Sequence, residues 1–204
     1  SPPAYLPEPV DFGVLYEDAD VVVVNKPQGT VVHPGAGNWS GTLVQGLLYR
    51  SSSLRESFPG DPVRPGIVHR LDKDTSGVMV TAKHEAAMDY LSAQFREGTV
   101  RKKYYAVVKG CIDQPSGRVE TCIVRDRRNR KRFEVSRSRG KHAVTEYRVL
   151  SRGDGYSFVA VTPRTGRTHQ IRVHMKSIGH PILGDPIYGR PHARFPEVTL
   201  MLHA

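Results

Sequence analysis

Residues 77–109 read GVMVTAKHEAAMDYLSAQFREGTVRKKYYAVVK, a run of strand, helix and strand. In Gly77–Ala82, Val78, Val80 and Ala82 fall on one side, the period of two of an extended chain. Ala86–Arg96 reads as a helix and is closed by Gly98, the residue best able to take the left-handed turn that ends helices. Arg101–Lys109 alternates again, with Tyr104, Ala106 and Val108 on one face and Lys103, Tyr105 and Val107 on the other. Working outward, Val21–Lys26 is a β-branched run stopped by Pro27 and Gly29, and Arg118–Val124, Ala143–Leu150, Ser157–Thr162 and Val198–Ala204 are further strands. Thr42–Tyr49 is a short helix with Thr42 as cap, and a helix runs from Thr168 to Ile178, closed by Gly179 and Pro181. Many strands with a few interspersed helices predict an α+β fold.

The chain has 204 residues, enough for one large domain or two small ones. With 38% hydrophobic and 25% charged residues it is an ordinary globular sequence, which excludes a disordered or fibrous chain. The longest apolar run, Tyr104–Val108, falls far short of the roughly 20 residues of a membrane helix, and Ser1-Pro2-Pro3-Ala4 does not resemble a signal peptide. Residues 1–9 hold four prolines and read as a linker, leaving 10–204 as the folded domain. Cys111 and Cys122 cannot make a disulfide framework or a zinc site. They are expected to be small buried residues of a protein in a reducing cytoplasm. Gly35-Ala-Gly37 has Ser40 where a dinucleotide fingerprint needs its third glycine, and there is no Walker lysine, so no nucleotide cofactor is expected.

The charge is more telling. The formal net charge is +10 and the pI about 9.8, which makes a polyanion, nucleic acid first, the natural partner. The excess is uneven: Arg125–Lys141 holds nine basic residues, Arg127, Arg128 and Arg130 among them, against Asp126 and Glu134, a net +7. The plain alternative is a solvated loop; so lopsided a sign points to phosphate contact.

Three segments can carry chemistry. In His69-Arg70-Leu71-Asp72-Lys73-Asp74-Thr75-Ser76-Gly77 an aspartate sits in a turn before a strand, among cations that favour its ionised form. A held carboxylate serves as nucleophile or base, or Asp72 or Asp74 merely caps the turn. In Arg101-Lys-Lys103-Tyr104-Tyr105 adjacent strand tyrosines must face opposite ways, so that one packs in a core while the other lines a cleft, and an aromatic face beside lysines suits base stacking. In Pro163–Met175 a helix beginning at Thr168 puts His169, Arg172 and Lys176 on one face and Ile171, Met175 and Ile178 on another. Arg164, Arg167 and Arg172 then crowd a helix N-terminus, a place suited to a carboxylate or phosphate. His169 and His174, five residues apart, point in different directions, so no metal is expected.

Together the segments His69–Gly77, the Lys-Tyr-Tyr-Ala stretch at Tyr104, and Gly166-Arg-Thr-His-Gln-Ile-Arg-Val-His174 resemble the RluA-type pseudouridine synthases. Asn25-Lys26-Pro27-x-Gly29 and His180-Pro-Ile-Leu-Gly-Asp185 extend the resemblance over nearly the whole chain, and His33-Pro-Gly-Ala-Gly-Asn38 is most similar to the subgroup that modifies large-subunit ribosomal RNA. The resemblance implies a bent, largely antiparallel mixed sheet with flanking helices and a catalytic cleft across its middle. The implied reaction cuts the glycosidic bond of a flipped-out uridine in RNA, rotates the uracil and rejoins it through C5, without cofactor or metal. Asp72 matches the family's catalytic aspartate, Tyr104 its active-site tyrosine, Arg172 the arginine that pairs with the aspartate, and Arg70 the residue that enters the RNA stack. Lys103, Arg127, Arg128, Arg130, Arg167 and His169 are the further candidate RNA-binding residues, and a monomer is expected. The subgroup often carries an N-terminal S4-type domain and continues past Leu202-His-Ala204; neither part is in this chain, so both ends are expected to be those of a core fragment. A non-catalytic RNA-binding domain is the competing reading.

Overall fold

The computed structural model describes residues 5–204; the start of the expected linker, residues 1–4, lies outside the described residues. The chain divides into two compact units, one ending at Val100 and the other spanning Arg101–Ala204. Among the described residues no helix is long and apolar enough to cross a membrane.

The first unit is built on strands β1 (Gly13–Glu17), β2 (Val21–Lys26) and β3 (Gly77–Ala82), paired antiparallel in that order. Helix α1 (Leu43–Arg50) lies between β2 and β3 in the chain, and helix α2 (Glu85–Glu97) follows β3. A reciprocal capping box starts α1: the Gln45 amide donates to Thr42 Oγ1 at 3.4 Å and the Thr42 amide to Gln45 Oε1 at 3.0 Å. That fixes the entry of a helix burying Leu43, Val44, Leu47 and Leu48. Glu8, inside the expected linker, accepts hydrogen bonds from the Gly41 amide and Gln45 Nε2 and so fastens the chain to the same cap. As expected, Gly98 ends α2 in the left-handed conformation, at φ 72°.

The alternation in β3 leaves open which face is buried, and the structure decides it. In β3 the buried side carries Gly77, Met79 and Thr81, while Val78 is exposed. Val78 and Val80 are more β-branched, but Thr81 hides its hydroxyl by donating to the Val22 carbonyl at 3.0 Å, so a polar residue occupies the inner face without an unmet bond.

The second unit is a six-stranded sheet and one helix. Its strands are β4 (Tyr104–Lys109), β5 (Ser116–Arg125), β6 (Phe133–Ser136), β7 (Lys141–Gly153), β8 (Tyr156–Pro163) and β9 (Leu202–His203), and helix α3 is Gln170–Ser177. The order across the sheet is β6-β5-β7-β8-β4-β9, every pairing antiparallel. Ala106 and Val108 of β4, Val159 and Val161 of β8, and Ile171 and Met175 of α3 meet Ile182, Leu200 and Leu202 in one core. Tyr104 packs against this core, on the face that the alternation assigns it.

Four further differences from the sequence reading concern this unit. The basic segment is a hairpin rather than a loop: β5 and β6 pair with Arg125 opposite Phe133. Thr168 does not cap the last helix; His169 does, with φ 55° and no side-chain cap bond, and the helix is correspondingly shorter. Cys111 is exposed, in the turn after β4, and Cys122 is only half-buried, because it falls on the face of β5 that carries Arg118 and Glu120; neither is a core residue. The final strand is likewise confined to two residues.

Candidate active site

In the first unit the Asp72 turn is held from every side. Leu71 is buried. His69 accepts the Val80 amide on Nε2 at 3.1 Å and stacks on Phe95, with centroids 4.5 Å apart. The turn itself closes through backbone, the Thr75 amide donating to the Asp72 carbonyl at 3.1 Å. Beneath it lies Lys26, whose side chain is fully buried and donates to three carbonyls: Pro27 and Thr30 at 2.9 Å and Lys73 at 3.0 Å. The Gly29 amide takes the same Lys73 carbonyl at 2.9 Å. Burial pulls the Lys26 ammonium down to about 8, against the opposing attraction of Asp74 and Asp72. Asp72 and Asp74 are half-buried and Arg70 is exposed. The strands thus deliver a carboxylate on a turn whose backbone is hydrogen-bonded to Lys26, Gly29 and Thr75, with an exposed arginine two residues before it.

In the second unit Tyr104 opens β4 half-buried. Tyr105, facing the other way, stacks on Phe158 with centroids 5.8 Å apart, under the ammonium of exposed Lys103 at 5.4 Å. Arg172 is not the open anion-binding group its helical position predicts. It is 2% exposed and bonded on two prongs to Asp185, Nε to Oδ2 at 2.9 Å and Nη2 to Oδ1 at 2.8 Å. Burial alone would raise the Asp185 carboxyl; the bonds and charge of Arg172, with the Ile187 and Tyr188 amides on Oδ1, outweigh it and hold the group below the usual carboxylate value. The other two arginines are committed as well: Arg164 to Glu146 at 2.8 Å, and Arg167 to the His142 carbonyl at 2.8 Å.

Helix α3 is seated by a buried polar network. His174 bonds Thr145 at 2.6 Å through Nδ1 and Thr121 at 2.9 Å through Nε2, and burial drives its imidazole down to about 4. Gln170 joins Thr165, Thr145, the Val144 carbonyl and the Arg167 amide. His169, at the helix start, bonds Tyr188 Oη at 2.7 Å.

The basic hairpin carries its charges on ordered turns. Asp126 Oδ1 accepts the Arg128 and Asn129 amides at 2.7 and 3.2 Å, and Asn129 Oδ1 that of Lys131 at 3.1 Å. Ser136 Oγ accepts the Ser138 and Arg139 amides. Arg127, Arg128 and Arg130 are exposed on this frame.

Sequence reasoning missed three residues. Lys26 was findable: Val22, Val24 and Lys26 share a face by the period of two, so a lysine on the buried side was already implied. Asp185 and Tyr188 sit in irregular chain after α3, where no periodicity marks them. Among the described residues no group of three or more His, Cys, Asp or Glu is placed to hold a metal ion.

Comparison with known proteins bears on the same segments. Residues 20–177 match the family model described as RNA pseudouridylate synthase. The chain is 49% identical over 198 residues to a protein of Borreliella burgdorferi named ribosomal large subunit pseudouridine synthase D, covering 97% of this chain and 61% of that protein. It is 50% identical over 188 residues to a protein of the same name from Neisseria meningitidis serogroup A, covering 92% and 49%. The solved structure of human RNA pseudouridylate synthase domain containing 1 superposes with a TM-score of 0.78 at 30% identity, over 95% of this chain and 76% of that one. The chain thus spans between about half and three-fifths of the length of these curated relatives. A family match over residues 20–177, together with a relative 49% identical over 97% of the chain, places this protein in the RNA pseudouridylate synthase family.

Proposed function

We propose that the chain isomerises uridine to pseudouridine within large-subunit ribosomal RNA. In that reaction the C1′–N1 bond breaks, a C1′–C5 bond forms, and the proton lost from C5 is balanced by one gained at N1, so no atom is added or removed. Asp72 is the catalytic carboxylate, assisting cleavage by attack on the sugar or by taking a sugar proton. Tyr104 stacks on the uracil and takes part in the proton transfer. Arg172 orients the carboxylate. Flipping the nucleotide costs a few kcal/mol, and the planar guanidinium of Arg70 replaces the stacking it leaves. Lys103, Arg127, Arg128, Arg130, Arg167 and His169 hold the RNA backbone, and the protein works as a monomer without metal or cofactor.

The observation that carries this reading is the Asp72 turn. Its backbone is clamped by buried Lys26, by Gly29 and by Thr75, while the Asp72 side chain is only half-buried. A carboxylate that served only to close the turn would not need this support, because backbone already closes it.

Asp72→Asn keeps the shape and removes the charge. On large-subunit ribosomal RNA, pseudouridine formation should fall by about three orders of magnitude or more, with RNA affinity within a few-fold of the parent. Asp74→Asn, in the same turn, should keep most activity. Full activity of Asp72→Asn refutes the assignment. RNA binding by the parent chain without conversion of any uridine favours the non-catalytic reading.

A further inference from the structure

Tyr188 touches both the buried arginine pair and the base of the basic hairpin, by bonds of known geometry. It is nearly buried. Its hydroxyl accepts the Phe133 amide at 2.9 Å. Phe133 opens β6 directly after the arginine-bearing turn, opposite Arg125, whose guanidinium lies over the Phe133 ring at 5.0 Å. The same hydroxyl hydrogen-bonds His169 Nδ1, 2.7 Å away. His169 is the non-glycine residue held at φ 55° at the head of α3, three residues before Arg172, and its ring meets both Phe133 and Tyr188 edge-on. A positive φ at such a residue persists only where its surroundings impose it.

The other end of Tyr188 faces the pair. Its backbone amide donates to Asp185 Oδ1 at 3.1 Å, and its ring lies 5.3 Å from Arg172 Cζ. Arg132 and Lys176 approach the same ring at 5.7 and 6.0 Å. With Ile123, Ala143 and Val173 it forms a small apolar cluster between hairpin and helix.

We propose that Tyr188 is a positioning residue that ties the basic hairpin to the Arg172–Asp185 pair, so that RNA gripped by the hairpin fixes the arginine that serves catalysis. The catalytic half of this statement rests on the function proposed above; the mechanical half does not. A hydroxyl that bonds hairpin backbone and the strained helix start at once leaves neither free to shift alone. The ring and the Asp185 turn pass that constraint to the guanidinium.

The test is Tyr188→Phe, which keeps the ring and removes the hydroxyl. Two readouts need no activity: hydrogen exchange of the Phe133 amide, and the NMR signal of Arg172 Nε–H. Exchange at Phe133 should quicken by about tenfold or more, and the Arg172 signal should shift or broaden. An unchanged Arg172 signal overturns the link whether or not the chain is an enzyme. The third readout is the single-turnover rate on ribosomal RNA at saturating enzyme, well below the melting temperature. It should fall by about tenfold. Replacing Arg127, Arg128 and Arg130 by Ala should then cost less in the Tyr188→Phe background than in the parent. A structural role alone would lower the melting temperature and leave the single-turnover rate unmoved, and that result overturns the proposal, as does a product of fold-changes that multiplies to within about twofold. If the parent converts no uridine, the proposed function falls and the two NMR-based readouts still decide the link.

Discussion

Arg172 and Asp185 invite a double-mutant cycle, because their side chains are 2% and 0% exposed and solvent cannot screen what they do to each other. Asp185 accepts four bonds, two from Arg172 and one each from the Ile187 and Tyr188 amides. In Asp185→Asn the amide oxygen in the place of Oδ1 can still serve the two backbone donors and Arg172 Nη2, but the NH2 in the place of Oδ2 is turned toward Arg172 Nε, so a buried guanidinium loses the Asp185 charge and meets a donor. In Arg172→Met the carboxylate stays buried with only backbone to answer it. Each single change should cost about 3–5 kcal/mol, which for a chain of this size is a fall of roughly 2–4 °C in melting temperature per kcal/mol. The double variant removes both charges together and so leaves neither uncompensated. Its loss should be smaller than the sum of the singles by about 2–3 kcal/mol, measured as unfolding free energy in urea near pH 7. Losses that add to within about 0.5 kcal/mol would mean that the two groups are not coupled and that the reasoning from their geometry is wrong.

Two pH predictions and one on salt follow. His174 has its folded value depressed from 6.5 to about 4, so its stabilising contribution is complete above pH 6.5 and is lost as pH falls toward 4, about 3 kcal/mol in all; His174→Asn should flatten that part of the stability–pH curve, and an equally steep curve would remove His174 as its cause. Lys26 titrates near 8 when folded and at 10.5 when unfolded, so the unfolded chain holds more protons between these values and stability should climb by about 3 kcal/mol across that window, a rise that Lys26→Met abolishes. Replacing Arg127, Arg128 and Arg130 by Ala should weaken RNA binding at low salt and reduce the slope of log K against log[salt] by about 0.7–0.9 for each phosphate that is no longer neutralised; lower affinity at an unchanged slope would mark these arginines as structural.

The parts of the fold that were legible in the sequence are those where one local rule acts alone. Helix α2 ends at Gly98 because nothing but a left-handed residue is needed there, and α1 begins at Thr42 because Gln45 stands three residues on to complete the box. Reading stopped where a local rule does not reach. In β3 the period of two groups Val78, Val80 and Ala82 correctly but does not say which face turns inward; that is the face of Met79 and Thr81, where Thr81 satisfies its hydroxyl on Val22. Strand β6 was hidden by the charges around Phe133–Ser136, since its four residues owe their conformation to pairing with β5. At the candidate site the spacing of Arg172 within a helix was read correctly, but its environment was not. Whether a helical arginine is open or buried depends on Asp185, thirteen positions later in chain with no regular structure, and no periodicity reaches that far.

One of the hairpin's acid residues, Asp126, has a consequence for how its charge is presented. By charge alone Asp126 is a defect in a +7 segment, the first residue to remove if the hairpin holds a polyanion as proposed. Its carboxylate, however, holds the Arg128 and Asn129 amides, and those bonds keep it ionised below its usual range. Without it the tip would sample many backbone states, and each arginine would have to be ordered anew on contact with phosphate, at a cost of about 1–2 kcal/mol for every residue fixed. Preorganisation of this kind lets a cationic tip bind with little loss of entropy. The negative charge is therefore part of the cationic surface, and net charge is a poor guide to what this hairpin can hold.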